Sequence, residues 1–358
     1  MTVSGGRRAL SVAVVQGGPS TEAEVSRASA SGVASGLEQA GHRVARLELD
    51  PSLAEVLRAG GFDVVFPAVH GAGGEDGRLQ GLLETLGLPF VGSGVLASAL
   101  AMNKVAARTF FAHAGLPIAE GRSFPRGVSA LDAARAVLRD LGPAVVVKPA
   151  SNGSAIGVTR IEASGEETRR QESQGVDGDR VRAVRRAIDD VWEMDDLVLV
   201  ERLMPGREVT CAVLDLDTTE ALAPTEITAE SDPFYNFEAR YTPGRSKHVC
   251  PANLSRSTAE RVQEIATSAH RALGCRDLSR VDFVVVDAGP LTQVTLLEVN
   301  TLPGMTPTSL FPEAAAQRGL SMALLCDALV THAFERGSQE LARKVRARPL
   351  PANAPKRT

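Results

Sequence analysis

The feature that most constrains this chain is an early alternation of short apolar runs with glycine-punctuated helical stretches. LSVAVVQGG is an apolar run that stops at a double glycine, and STEAEVSRASASGVASGLEQAG then carries apolar residues at helical spacing before closing on another glycine. HRVARLEL, a helix around Leu53–Ala59, FDVVFPAVH and a glycine-rich loop repeat the pattern. Strands that alternate with helices favour a parallel sheet with helices on its faces. The expectation is an α/β unit over residues 1–103.

Beyond Asn103 the pattern changes. A helix from Lys104 leads through a Pro-containing link to a second helix near 131–141, the strand AVVVKP, the loop ASNGSAIGV and the strand DLVLVER at 196–202. The intervening stretch 163–190, rich in Glu, Arg, Gln and Gly, reads as a surface excursion, partly mobile. A third unit begins near Glu208 with EVTCAVLD and continues through an aromatic-bearing loop at 231–251 and a helix. RVDFVVVD and VTLLEVN follow, joined by a turn at 288–290, and a final helix follows Pro312. After about Gly337 the chain turns basic and Pro-rich, which predicts a flexible tail over 338–358. The partition expected is therefore 1–103, 104–207, 208–337 and the tail. At 358 residues the chain exceeds the roughly 250–300 that one hydrophobic core usually serves.

Composition narrows the function classes. A net charge of −4 with 44% hydrophobic and 23% charged residues is that of an ordinary folded protein. No apolar run approaches the roughly 20 residues of a membrane span, and the N-terminus lacks a signal-peptide layout, so a cytoplasmic protein with no membrane partner is expected. The cysteines, Cys211, Cys250, Cys275 and Cys326, stand far apart, which signals free thiols rather than a zinc site or disulfide framework. Two Tyr, one Trp and no basic stripe leave neither the charge nor the stacking surface for nucleic acid. The partner should be a small molecule.

Four segments carry chemistry. In RVDFVVVD, Asp282 lies among apolar neighbours, while LLEVN sets Glu298 and Asn300 two apart, on one face of a strand. Two carboxylates and an amide oxygen are hard ligands suited to magnesium, although polar groups on a solvated sheet face would read the same way. VVVKPASNGSAIG offers Lys148 at a strand end, then glycines and small residues that let backbone N–H groups approach phosphate. The Walker order is absent, so that lysine would reach phosphate from the strand; Lys104, before a helix, is a second candidate, and either could be a surface charge. QGGPSTEAEVS resembles a phosphate-binding turn without the dinucleotide spacing, and a tight turn with no ligand explains its glycines equally well. HGAGGEDG, at 70–77, puts His70 and two carboxylates where open α/β sheets bind ligands, although a histidine there can also be structural.

Taken together, GGPSTEAEVS, HGAGGEDGRLQGLLETLGLPFVGSGVLASALAMNK, VVKPASNGSAIGV, FYNFEARY, RVDF and EVNTLPGMTPTSL resemble, in order and spacing, the D-alanine–D-alanine ligase family of the ATP-grasp superfamily. The resemblance runs from about Val14 to Leu329. It implies an α/β N-terminal domain with a parallel sheet, followed by a two-lobed α+β ATP-grasp fold that holds ATP between its sheets. It also implies a homodimer and a ligase that forms D-alanyl-D-alanine for the peptidoglycan wall through an acyl phosphate.

The resemblance assigns residues one at a time. Lys104 and Lys148 would contact phosphate, Glu201 would begin the hinge strand near adenine, and Glu208 would bind ribose. Asp282, Glu298 and Asn300 would hold two magnesium ions, or manganese in their place. Glu22 would receive the first D-alanine's ammonium group, with His70 nearby, and with Ser154 and Tyr241 would tie a mobile loop over the site. Arg280 and the Gly304 backbone would stabilise the oxyanion, while Ser309 and Leu310 would meet the second substrate's carboxylate. Arg240 stands where many members have lysine, and the Arg240–Tyr241 pair favours a D-amino acid over D-lactate as second substrate, D-serine included. Phe234, Tyr235 and Phe237 would help a lid exclude water. Asn103 in place of the common aspartate, Ala155 in place of a second serine, and the 163–190 excursion depart from the family pattern and bear on loop closure and nucleotide affinity. Rival readings are an ATP-grasp ligase of secondary metabolism with a changed amino-acid pocket, and a non-catalytic nucleotide-binding module.

Overall fold

In the computed structural model the described residues are 8–163, 178–229 and 246–347. The chain opens with β1 (Ser11–Gln16), α1 (Ala23–Gln39), β2 (Arg43–Glu48), α2 (Leu53–Ala59) and β3 (Val64–Pro67). The three strands form a parallel sheet in the order β2-β1-β3, as the alternation predicts, and Phe90 adds a parallel bridge to Val65. α1 faces the sheet with Ser26, Ser29, Ala30, Val33 and Leu37, the spacing of one helical face. The double glycine before it is a turn: Gly17 and Gly18 have φ of 75° and 92°, and the Gly17 N–H is taken by the buried Ser26 hydroxyl at 2.8 Å.

α3 (Arg78–Leu86), α4 (Val95–Met102) and α5 (Lys104–His113) lead to β4 (Gly121–Pro125), α6 (Ala130–Leu141), β5 (Val145–Pro149), β6 (Thr159–Ile161), α7 (Gly178–Trp192) and β7 (Leu197–Arg202). These strands make an antiparallel sheet in the order β4-β7-β5-β6. Val145, Val147, Val198 and Val200 bury one face of it under α6 and α7. Lys148 and Glu201 lie on the other face, since side chains alternate along a strand. The surface-excursion reading of 163–190 is corrected over its second half. Val181, Val184, Ala187, Ile188, Val191 and Trp192 are buried at helical spacing, a stripe obscured in the sequence by interleaved arginines. Residues 164–177 lie outside those described.

β8 (Arg207–Asp215), β9 (Thr219–Ala221), β10 (Thr225–Ala229), β11 (Ser246–Val249), α8 (Arg256–Ala272), β12 (Asp277–Val286) and β13 (Gln293–Asn300) follow, then α9 (Leu310–Gln317) and α10 (Met322–Ala347). The strands form a second antiparallel sheet, β11-β10-β8-β12-β13, with β9 beside β8. Its Val209, Cys211, Val213, Val281, Phe283 and Val285 pack under α8. The opposite face changes character along its length. Ala212, Leu214 and Leu278 join a core with β1, α1, α9 and α10, whereas Glu208, Thr210 and Asp282, on the same side, are polar.

The tail reading is corrected over 338–347, and residues 348–358 lie outside those described. Helix α10 runs past Gly337 to Ala347, because the sequence there holds good helix formers and no proline. Gly337 sits in it where a Cβ would stand 2.5 Å from Pro89, so contact with the first unit selects glycine. Pro312 falls in the first turn of α9 rather than before it. Among the described residues no helix is long and apolar enough to cross a membrane, and all four cysteines are free.

Candidate active site

A cavity of about 470 Å³ opens where the N-terminus of α1, the glycine-rich loop after β5 and the end of β13 meet. Glu22 and His70 line it from the first unit, Lys104 and Ser154 from the second. Arg280, Glu298 and Asn300 enter from the large sheet, and Gly304, Ser309 and Leu310 from the turn that follows. Residues more than two hundred positions apart are thus brought to one space. Lys148, Glu201, Glu208 and Asp282 do not line this cavity, and Tyr241 and Arg240 lie outside the described residues, as do Phe234, Tyr235 and Phe237.

Glu22 occupies the N-cap position of α1 and is buried, yet makes no capping bond to its own helix. Its carboxylate instead accepts the Ser154 hydroxyl. Ser154 and Ala155 have φ of 51° and 56°, a left-handed conformation that costs a non-glycine residue roughly 1–2 kcal/mol. With that backbone the loop meets α1 at Glu22. A Cβ on Gly71 would stand 2.6 Å from a Glu22 oxygen, so the glycine-rich 70–77 loop can close on this carboxylate only without a side chain there. Behind it, His70 lies 2.9 Å from the Ser29 hydroxyl and 3.4 Å from Glu75, which also accepts the Gly71 N–H at 3.1 Å. Burial pushes the Glu75 carboxyl above its usual range, and the Glu22 charge adds to that.

Lys104 begins α5, where its ammonium donates to the Asn152 carbonyl at 2.7 Å and pairs with Glu298 at 3.2 Å. It therefore bridges the glycine-rich loop and β13. Asn103 caps the same helix by accepting the Ala106 N–H at 3.0 Å, a task asparagine and aspartate perform about equally well. Lys148 and Arg108 both pair with the buried Glu201, and Arg108 also holds the Ala119 carbonyl at 2.7 Å. Sequence reasoning missed Arg108, although its position four residues after Lys104 puts both on one helical face. Glu201 is next to last in β7 rather than the start of a hinge strand; the link to β8 follows it, with Gly206 at φ 137°.

On the large sheet Asp282 stands opposite Glu298, and Arg280 opposite Asn300. Arg280 donates to both Asp282 oxygens, at 2.9 and 2.8 Å, and Thr210 donates to one at 2.7 Å. A bulge between these pairs and the rest of the ladder lets Val299 and Leu296, three apart, both face the core while Glu298 and Asn300 stay on the polar side. Among the described residues no three His, Cys, Asp or Glu side chains could hold a metal by themselves. The donor set nonetheless fits magnesium, which takes few protein oxygens and fills its shell with water and phosphate. Two carboxylates and the Asn300 amide oxygen on one sheet face supply such oxygens. Ser309 caps the 304–309 turn: its hydroxyl accepts the Thr306 N–H at 3.0 Å and would lie 2.8 Å from any Cβ on Gly304.

Two antiparallel sheets, one carrying a buried lysine and a glycine-rich loop, the other a carboxylate–amide face, define the ATP-grasp class. Comparison with known proteins narrows it. The chain matches the D-ala D-ala ligase C-terminus over residues 110–331 and the D-ala D-ala ligase N-terminus over 51–93. It is 42% identical to the D-alanine–D-alanine ligase of Desulforudis audaxviator over 325 residues, 91% of this chain and 99% of that one. Among solved structures, the D-alanine–D-alanine ligase from Bacillus anthracis complexed with ATP superposes with a TM-score of 0.71 at 26% identity, covering 93% of this chain and 100% of that one. The VanG D-Ala:D-Ser ligase from Enterococcus faecalis gives 0.74 at 30%, covering 91% and 100%. The chain belongs to the D-alanine–D-alanine ligase family.

Proposed function

We propose that this chain condenses two D-alanine molecules to D-alanyl-D-alanine, driven by ATP, as a step in making peptidoglycan precursor. The observation that supports this most is the convergence of Glu22 with Ser154, Lys104 with Glu298, and Arg280 with Gly304 in one cavity. The reaction needs a place for an ammonium group, for a triphosphate and for a developing oxyanion, and these groups offer one of each.

The first D-alanine's carboxylate oxygen attacks the γ-phosphorus and ADP leaves, giving an acyl phosphate. The amine of the second D-alanine then attacks the acyl carbon, the carbon–oxygen bond to phosphate breaks and the surplus amine proton is lost. Attack of one anion on another is opposed: two unit charges about 4 Å apart repel by roughly 4 kcal/mol at an effective dielectric near 20. Lys104 and Lys148 would offset that repulsion at the phosphates, with Glu201 holding Lys148 until nucleotide arrives. Asp282, Glu298 and Asn300 would hold two magnesium ions, or manganese, which when bound neutralise phosphate charge. Glu208 would take the ribose, and the link after Glu201 the adenine edge. Glu22 would fix the first substrate's ammonium beside His70, and Arg280 with the Gly304 N–H would meet the oxyanion. Ser309 and Leu310 would receive the second carboxylate, and Arg240 and Tyr241 would act on the second substrate as well. A partition at 103 and 207, a homodimer and a cytoplasmic location complete the proposal.

The test supplies Mg–ATP with D-alanine alone, then with D-serine or D-lactate, and identifies products by mass. Phosphate together with D-alanyl-D-alanine supports the proposal. A preference for D-serine would move the chain beside the D-Ala:D-Ser ligase it resembles, and nucleotide binding without turnover of any pair would reject ligase activity.

A further inference from the structure

Helix α1 carries more than Glu22. Seven residues along, about two turns and roughly 10 Å, Ser29 is fully buried between two groups from distant parts of the chain. Its hydroxyl lies 2.9 Å from His70 Nε2 and accepts the Met305 backbone N–H at 3.2 Å. Near it on the same helix, Gly32 leaves no room for a side chain: a Cβ there would stand 2.6 Å from the Met305 carbonyl oxygen. Met305 is thus held at its N–H and seated at its carbonyl by one face of α1. Gly304, the residue before it and the one with the widest backbone freedom, is bounded on its other side by the Ser309 hydroxyl. His70 in turn has its second ring nitrogen 3.4 Å from Glu75. Either tautomer preserves the Ser29–His70 contact, because the Ser29 hydroxyl can donate to Nε2 or accept from it.

We propose that Ser29 is a positioning residue: it ties the Gly304–Met305 backbone to the His70 ring and to the helix that begins at Glu22. It thereby keeps the group that would hold the first substrate's ammonium and the N–H that would hold the oxyanion in one register. The inference rests on the proposed role of Gly304. It also recasts His70, whose ring nitrogens both face protein groups, as a support for that backbone.

Loss of this tie acts on the second chemical step. Oxyanion donors work only when aimed at the developing charge, and misplacement by about 1 Å can cost on the order of 100-fold in rate. A slowed amine attack gives water its chance at the acyl phosphate: a water oxygen attacks the phosphorus, the bond from phosphorus to the acyl oxygen breaks, and D-alanine, phosphate and a proton are released without dipeptide, by a route that builds no oxyanion on the acyl group and so is not slowed by misplaced donors. The signature is therefore uncoupling.

The experiment measures phosphate and dipeptide in the same reaction with the full-length enzyme, Mg–ATP and D-alanine. Wild type should release one phosphate per dipeptide. Ser29→Ala should lower kcat by about tenfold or more, keep the KM for ATP within about twofold, and raise the phosphate-to-dipeptide ratio above about two. Ser29→Thr, which keeps the hydroxyl, should restore both values toward wild type. Gly32→Ala, which presses on the Met305 carbonyl from the same helix, should uncouple while leaving Ser29 in place; thermal melting checks that each variant is folded. Coupling of one to one in folded Ser29→Ala overturns the inference, whether kcat falls or not. If that variant does not fold, a one-to-one ratio in Gly32→Ala overturns it instead. Wild type that makes no dipeptide overturns the functional proposal itself, so the two failures are distinct.

Discussion

Glu75 lies behind the candidate site, and its burial has a consequence for stability. Its carboxyl is shifted upward, chiefly by desolvation. A carboxyl that holds its proton more tightly when folded favours the folded state at pH below its unfolded value, and that contribution is lost as pH rises through the folded value. Glu75→Gln should therefore flatten the loss of stability between mildly acidic and neutral pH. Denaturant titrations of both proteins across that range check this, and equal slopes would count against it. At this scale the sequence was legible where short motifs carry the chemistry. Glu22, Lys104, Ser154, Arg280, Glu298, Asn300, Gly304 and Ser309 all line one cavity. It was silent on partners supplied from far along the chain: Arg108 meets Glu201 across 93 positions, Thr210 meets Asp282 across 72, and Ser29 meets Met305 across 276. No local pattern encodes such meetings, because tertiary structure makes them.

The elements most easily read were those with a strong period, and the misread ones were masked by polar residues. In α7 the buried stripe is diluted by arginines on the exposed face, and in α10 a glycine and a basic composition suggested an end where none exists. Gly337 makes the second case testable. On propensity alone, Gly337→Ala should strengthen the helix by about 1 kcal/mol. The 2.5 Å approach to Pro89 predicts the opposite, a net loss of about 1–3 kcal/mol from overpacking. Urea unfolding decides between them, and a stabilised variant would show that α10 does not press on Pro89. The bulge in β13 was equally hidden, since an unbroken alternation would have sent Leu296 to the polar side with Glu298.

On the scale of the whole molecule, the first unit does not own its core. Leu325, Leu329, Val330 and Ala333 of α10 and Phe311 of α9 complete the packing around β1 and α1. A buried charge pins the same junction. Asp277, wholly inaccessible and at φ 64°, pairs with Arg336 of α10 and accepts the Gly92 N–H at 2.7 Å, while Arg336 also donates to the Phe90 carbonyl at 2.8 Å. Asp277→Ala strands a mostly buried guanidinium and should cost about 3–5 kcal/mol, of which a second change, Arg336→Met, should recover part. A loss below about 1 kcal/mol in equilibrium unfolding would mean that the pair is not what joins these units.

The joined frame matters because it holds Glu22, Arg280 and Gly304 around one cavity, where a carboxylate is proposed to take the γ-phosphoryl group before an amine displaces it. D-alanine labelled with heavy oxygen in its carboxylate, turned over with Mg–ATP, follows that transfer atom by atom. Passage through an acyl phosphate yields D-alanyl-D-alanine and an equal amount of phosphate carrying one heavy oxygen. Unlabelled phosphate, or phosphate without dipeptide from the wild-type enzyme, would contradict it.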